Sequence, residues 1–179
     1  MKTATLEPVQ STEALANYPP PCRAGFEPSA PTIRLQNILV PTDLTEMSLK
    51  SLKYAVPFAR QFGAKITLLH VVEPTAYTPE LPYPTALGHN QLAVIMNRLI
   101  EISADRIDHG IRVDTVVRHG FAFENIMDVA RDIRTDLIIT TTHGYGGLKH
   151  ALMGSIAENI TRSAPCPVLV VREAEHEFV

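Results

Sequence analysis

The 179-residue chain has only two cysteines, Cys22 and Cys166, far apart in the sequence. The first twenty residues also lack the apolar core of a secretion signal. This combination points to a reducing cytosol and free thiols rather than a disulfide-built scaffold, so a Cys22–Cys166 bridge is the less favoured reading. No apolar run approaches the roughly 18 residues of a membrane span, which argues against a membrane protein. No Lys or Arg cluster stands out, the net charge is −3 and the pI about 6.1, so the electrostatic footprint of a nucleic-acid binder is missing. The seven histidines show no metal-ligand spacing such as His-Glu-x-x-His. The glycine run Gly144-Tyr145-Gly146-Gly147 lacks the Gly-Lys-Ser/Thr that would complete a Walker A loop.

What is present is material for a core. Hydrophobic residues make up 45% of the chain, as in soluble globular proteins, and the length suits one domain. Residues 1–33 carry Pro8, Pro19, Pro20, Pro21, Pro28 and Pro31 with no sustained apolar period, and read as a disordered or loosely attached arm. Residues 34–174 form the domain and 175–179 a tail.

Within the domain, short apolar runs alternate with helical periodicity. Ile38–Val40 predicts a first strand ending at Pro41. Leu49, Leu52, Val56 and Ala59 predict a helix, kinked near Lys53 by Pro57 and ended at Gly63. Ile66–Val72 is the second strand, and the stretch carrying Pro74, Pro79, Pro82 and Pro84 a connection. Leu92, Ile95, Met96 and Leu99 predict a helix capped by Asn90. Ile111–Val117 is the third strand, Ile126, Val129, Ala130 and Ile133 one face of the next helix, and Leu137–Thr141 the fourth strand. A helix starting at Ser155 and a fifth strand over Pro167–Val171 complete the pattern. Such alternation predicts a three-layer α/β/α fold, a Rossmann-like open sheet of five parallel strands with helices on both faces. Ligands of such sheets bind beyond the strands' C-terminal ends, where the winding reverses. If strand four returns beside strand one, Pro41, Thr42 and Asp43 face Thr141, Thr142, His143 and Gly144 across that crevice.

The segment from Asp136 to Glu158 is the most informative. It reads as a buried strand, a glycine-bearing loop and a helix whose Ser155 and Glu158 fit a capping box. Gly154 permits close approach to the backbone, and a helix N-terminus attracts anions such as phosphate. Asp43 either supports the turn after its strand or accepts hydrogen bonds from ribose hydroxyls. His143 is read as a loop histidine, His70 as a packed strand histidine, Lys149 as a solvated lysine and Cys166 as a packing residue.

Ile38-Leu39-Val40-Pro41-Thr42-Asp43-Leu44-Thr45-Glu46, Leu68-Leu69-His70-Val71 and Ala164-Pro165-Cys166-Pro167-Val168-Leu169-Val170-Val171 resemble the universal stress protein family. The stretch through Gly144, nine residues and Gly154-Ser155 resembles that family's nucleotide loop, Gly-x-x-Gly, nine residues, Gly-Ser/Thr. The resemblance spans residues 36–172 and implies the same five-stranded sheet, dimerisation through the last strand and ATP binding, with or without Mg2+. It implies Asp43 at the ribose or adenine side, the Val71 backbone at the adenine edge, and Gly144, Gly154, Ser155 and Ile156 around the phosphates, with Pro41, Thr42, Thr142, His143 and Tyr145 completing the site. Thr141 stands where the loop's first glycine would be, and its side chain either crowds the nucleotide or offers it a hydroxyl.

Two function classes follow. One is a cytosolic, dimeric stress protein for which an adenine nucleotide is a sensed or structural ligand. The other is a slow ATPase or phosphotransferase, for which the sequence supplies no acidic metal ligand near the loop except Asp43 and names no catalytic residue. A ligand-free dimeric scaffold follows if Thr141 blocks the pocket. Receiver and flavodoxin readings fail for want of an acidic cluster or a Ser/Thr-rich loop after strand one.

Overall fold

The computed structural model describes residues 33–74, 89–142 and 155–172. The proline-rich arm, the connection carrying Pro79, Pro82 and Pro84, the loop from His143 to Gly154 and the C-terminal tail lie outside the described residues.

Five parallel strands form one sheet in the order β3-β2-β1-β4-β5. They are β1 (Asn37–Pro41), β2 (Lys65–Val72), β3 (Val113–His119), β4 (Leu137–Thr141) and β5 (Val168–Val171). The chain winds outward from β1 to β3, then returns to place β4 beside β1, the condition under which the two strand ends face each other.

Alternate residues of each inner strand enter different cores, because side chains of a strand point to opposite faces. Ile38 and Val40 of β1, Ile66 and Leu68 of β2 and Ile139 of β4 pack with Leu52, Ala55 and Ala59 of α2 (Leu52–Phe62) and Leu99 and Ile102 of α3 (His89–Arg106). Leu39, Leu69 and Ile138 face the other way. They meet Ile126, Met127, Val129 and Ala130 of α4 (Ala122–Asp132) and Ile160 of α5 (Ser155–Ser163). Each fully buried Ile or Leu contributes about 1.5–3 kcal/mol, so the layered arrangement follows from the two-faced apolar strands.

The first helical segment departs from expectation. It is two helices, α1 (Glu46–Leu49) and α2, and the interruption lies at Lys50–Ser51, before Lys53. Ser48 Oγ donates to the Thr45 carbonyl and Ser51 Oγ to the Ser48 carbonyl, while the Lys50 and Ser51 amides reach the carbonyls three residues back, Met47 O and Ser48 O. Hydroxyl bonding of this kind competes with the regular ladder. Pro57 sits inside α2, and Gly63 ends that helix in the left-handed region at φ 67, its N–H bonded to Ala59 O.

Two further boundaries move. α3 begins at His89, so Asn90 is its second residue rather than a residue before it. β3 runs from Val113 to His119 instead of from Ile111 to Val117, since an edge strand tolerates the polar Asp114, Arg118 and His119 that end the apolar signal. Ile111 belongs to the preceding turn, its N–H bonded to Asp108 O.

At the N-terminal end of the sheet, Asp136 Oδ2 accepts from the backbone N–H groups of Gln36 and Asn37 at 2.8 and 2.9 Å. The Asp136 N–H donates to Asn37 O at 2.9 Å. These bonds set the alignment of β4 on β1, which pairs Ile38 with Leu137 and Leu39 with Ile138.

Candidate functional site at the C-terminal ends of β1 and β4

The sheet reverses its winding between β1 and β4, so the C-terminal ends of these two strands flank the crevice where an α/β sheet holds ligands. The β1–β4 pairing ends at Leu39 and Ile138, and Thr42 and Asp43 on one side and Thr141 and Thr142 on the other lie beyond it.

The turn after β1 is held by its own side chains. Thr42 Oγ1 accepts from the Leu44 N–H at 3.0 Å, and Asp43 Oδ1 accepts from the Thr45 N–H at 3.0 Å and from the Thr45 hydroxyl at 2.6 Å. Thr45 Oγ1 in turn accepts from the Ser48 N–H at 3.2 Å and caps α1. Since the Ser48 hydroxyl donates to Thr45 O, its 2.7 Å contact with Thr42 Oγ1 has Thr42 as donor. This network fixes Leu44 at φ 68, a left-handed conformation costly for a branched side chain and concentrated at functional turns.

Asp43 is half-buried, and its second oxygen, Oδ2, is buried without a hydrogen-bond partner among the described residues. Burial pushes the Asp43 carboxyl up, but the Thr45 hydroxyl and amide that donate to Oδ1 help outweigh it, and the group lies below its ordinary value of 3.8. Asp43 is therefore ionised at neutral pH and accepts only. Leaving a buried acceptor unpaired costs roughly 1–3 kcal/mol, so this oxygen is suited to a donor beyond the described residues.

On β2, the Thr42 N–H donates to Leu69 O at 2.8 Å as the final rung on β1. The Thr42 carbonyl accepts from His70 Nδ1, at 2.8 Å. His70 is thus a hydrogen-bonding member of the site, a role that a packed-histidine reading misses. Val71, half-buried, follows it, one residue before the end of β2.

Pro41, Thr42, Thr141 and Thr142 are all buried. Thr141 is a strand residue, paired with Val171 of β5, and is not among the described non-glycine residues with positive φ. The backbone there has no need of glycine. The Thr142 N–H donates to Val171 O at 2.9 Å. Ser155 and Ile156, both exposed, are the first two residues of α5, and the Glu158 carboxylate pairs forward with Arg162 at 2.7 Å. His143, Gly144, Tyr145 and Gly154 lie outside the described residues.

Away from the crevice, Cys166 is a half-buried free thiol in the second core. Burial raises its pKa, with a smaller push from Asp136, against the bond from the Ile138 backbone. It is a packing residue without thiolate character at neutral pH. Among the described residues no group of three or more His, Cys, Asp or Glu could hold a metal ion, and no helix is long and apolar enough to cross a membrane.

Thr45, Ser48 and His70 are the members that hydrophobic patterning leaves out. The Asp-x-Thr spacing of Asp43 and Thr45, typical of a side chain bonding the backbone two residues on, is the signal that marks the first of them.

Comparison with known proteins places these features in context. The sequence model of the universal stress protein family matches residues 34–172. Universal stress protein MJ0531 of Methanocaldococcus jannaschii is 28% identical over 147 residues, covering 79% of this chain and 85% of that one. The solved structure of MJ0577, from the same organism, is 28% identical with a TM-score of 0.70 over 80% of this chain and 100% of that one. Two more distant structures share the fold. One is a universal stress protein in complex with cAMP, at 19% identity and TM-score 0.57 over 79% of this chain and 100% of that one. The other is the universal stress protein of Archaeoglobus fulgidus in complex with dAMP, at 15% identity and TM-score 0.52 over 77% of this chain and 98% of that one.

Proposed function

Because the chain belongs to the universal stress protein family, we propose that it binds ATP or a related adenine nucleotide at the C-terminal ends of β1 and β4. The observation that carries this reading is Asp43 Oδ2, an oxygen of an ionised carboxylate that is buried without a hydrogen-bond donor among the described residues, beside the switch point of the sheet. A ribose or adenine donor is the chemical complement of that oxygen. The Val71 backbone meets the adenine edge. Pro41, Thr42, Thr141 and Thr142 line the crevice floor, and the Thr141 hydroxyl reaches the ribose or phosphates. His143, Gly144, Tyr145, Gly154, Ser155 and Ile156 surround the phosphates, with the amides at the start of α5 facing the negative charge. The adenine ligands named for two proteins of the same fold, cAMP and dAMP, agree with a base-and-ribose site.

The nucleotide is a sensed or structural ligand in a cytosolic stress response. The protein acts as a homodimer joined through β5, an edge strand whose unpaired backbone groups a two-fold copy would cover. Incubation of the purified protein with ATP and Mg2+, followed by phosphate assay over hours, separates this reading from an ATPase. Retained, unhydrolysed nucleotide is expected; steady, protein-dependent phosphate release would contradict it.

A further inference from the structure

His70 stands at the point where the β1–β2 ladder stops, and how it stops matters. The register runs from Asn37↔Lys65 to Pro41↔Leu69. The Thr42 N–H still reaches Leu69 O, at 2.8 Å. In a parallel ladder the next bond would run from the Val71 N–H to the Thr42 carbonyl, because that carbonyl points the same way as its own N–H. Thr42 nevertheless lies outside β1, and its carbonyl accepts at 2.8 Å from His70 Nδ1. A carbonyl only accepts, so Nδ1 carries the proton.

Backbone groups alternate in direction along a strand. Gly120 donates to Val72 O on the β3 side and Thr42 donates to Leu69 O on the β1 side, so the N–H and C=O of Val71 face the β1 side, past the last rung. They form an adjacent donor and acceptor at the crevice, of the kind that pairs with the acceptor and amino donor on one edge of adenine.

We propose that His70 is a positioning residue for the base: its imidazole holds the Thr42 carbonyl turned from the ladder and thereby leaves the Val71 N–H available to an adenine edge. The proposal rests on the nucleotide reading above. It adds that a side chain, not the end of a strand alone, holds the base-reading groups open.

The test compares His70→Leu, which removes the donor, with His70→Asn, whose side-chain amide keeps a donor near the Nδ1 position. Amide hydrogen exchange of Val71 is followed by NMR in the nucleotide-free protein, and ATP and inorganic tripolyphosphate are titrated into each. In the unaltered protein and in His70→Asn, the Val71 amide should exchange much faster than interior β2 amides. In His70→Leu the rung closes, and its exchange should slow by about tenfold or more. ATP affinity should fall about tenfold in His70→Leu, the worth of one base-directed hydrogen bond, and recover in His70→Asn, while tripolyphosphate affinity is unchanged.

Slow Val71 exchange in the unaltered protein overturns the proposal and needs no variant, so it decides the matter even if His70→Leu fails to fold. Equal Val71 exchange in the Leu variant, or ATP affinity unmoved by it, overturns it as well. Failure of the unaltered protein to bind ATP at all sinks the nucleotide reading instead, and leaves the exchange comparison to decide whether His70 holds the rung open.

Discussion

The Nδ1 atom of His70 lies 2.8 Å from the carbonyl oxygen of Thr42, 28 residues earlier in the chain. The bond joins the tip of β1 to β2 through a side chain where a backbone rung would otherwise form. Loss of an imidazole donor ordinarily strands a carbonyl, at roughly 1–3 kcal/mol. Here the Val71 N–H can take its place. His70→Leu should therefore lower unfolding stability by only about 1 kcal/mol, the low end of that range. Urea denaturation checks this, and a loss of several kcal/mol would show that the rung does not close.

Asp136 does comparable work at the other end of the same strand pair. Its Oδ2 gathers the N–H groups of Gln36 and Asn37. Asp136→Ala leaves two backbone donors without their acceptor and should cost roughly 1–3 kcal/mol, since water can reach part of the site. The urea midpoint should fall with an unchanged slope. ATP affinity of the folded fraction should be unaffected, because Asp136 precedes β4 and the crevice follows it.

Much of this architecture is legible in the sequence, and the reason is specific. Ile38-Leu39-Val40 and Leu137-Ile138-Ile139 are apolar on both faces, which only a doubly covered strand tolerates. The returning position of β4 beside β1 is not legible in the same way, because apolar periodicity marks strands without ordering them. The boundaries of β3 are not legible, because an edge strand carries Asp114, Arg118 and His119 without penalty. Nor is the α1–α2 break, which depends on Ser48 and Ser51 hydroxyls bonding back to the backbone rather than on Pro57. Within the site, Asp43 is identifiable from its place after a strand. His70 is not, because its role lies in a single hydrogen bond to a residue 28 positions away, and no periodicity records that.

Acid should act through Asp43. Its folded pKa lies below 3.8, so the native state binds fewer protons than the unfolded chain just under that value. Its contribution is thus fully present above about pH 4 and is lost as pH falls through the folded pKa. Asp43→Asn should flatten the acid limb of a stability–pH curve below pH 4 relative to the unaltered protein. Identical limbs would show that the Thr45 donors do not hold the charged form.

The N-terminus of α4 has no cap from its own Phe121; the Glu73 carboxylate, after β2, accepts from the Ala122 N–H at 3.0 Å. Glu73→Ala should cost about 1 kcal/mol, the usual worth of an N-terminal cap. Thermal unfolding measures it, and Glu73→Gln, which keeps an acceptor, should recover most of the loss.

The proposed dimer predicts that Val170→Glu, placing charge on the β5 edge, yields monomer or aggregate by light scattering. A dimer of unchanged mass would move the interface elsewhere.

The most direct measurement is calorimetric titration of ATP, with and without Mg2+, into the unaltered protein and into Asp43→Ala. Saturable binding to the unaltered protein, weakened by about tenfold or more when the buried carboxylate is removed, is the predicted result. No heat at millimolar ATP, or equal affinity in the two proteins, would contradict a nucleotide held by Asp43 at the end of β1.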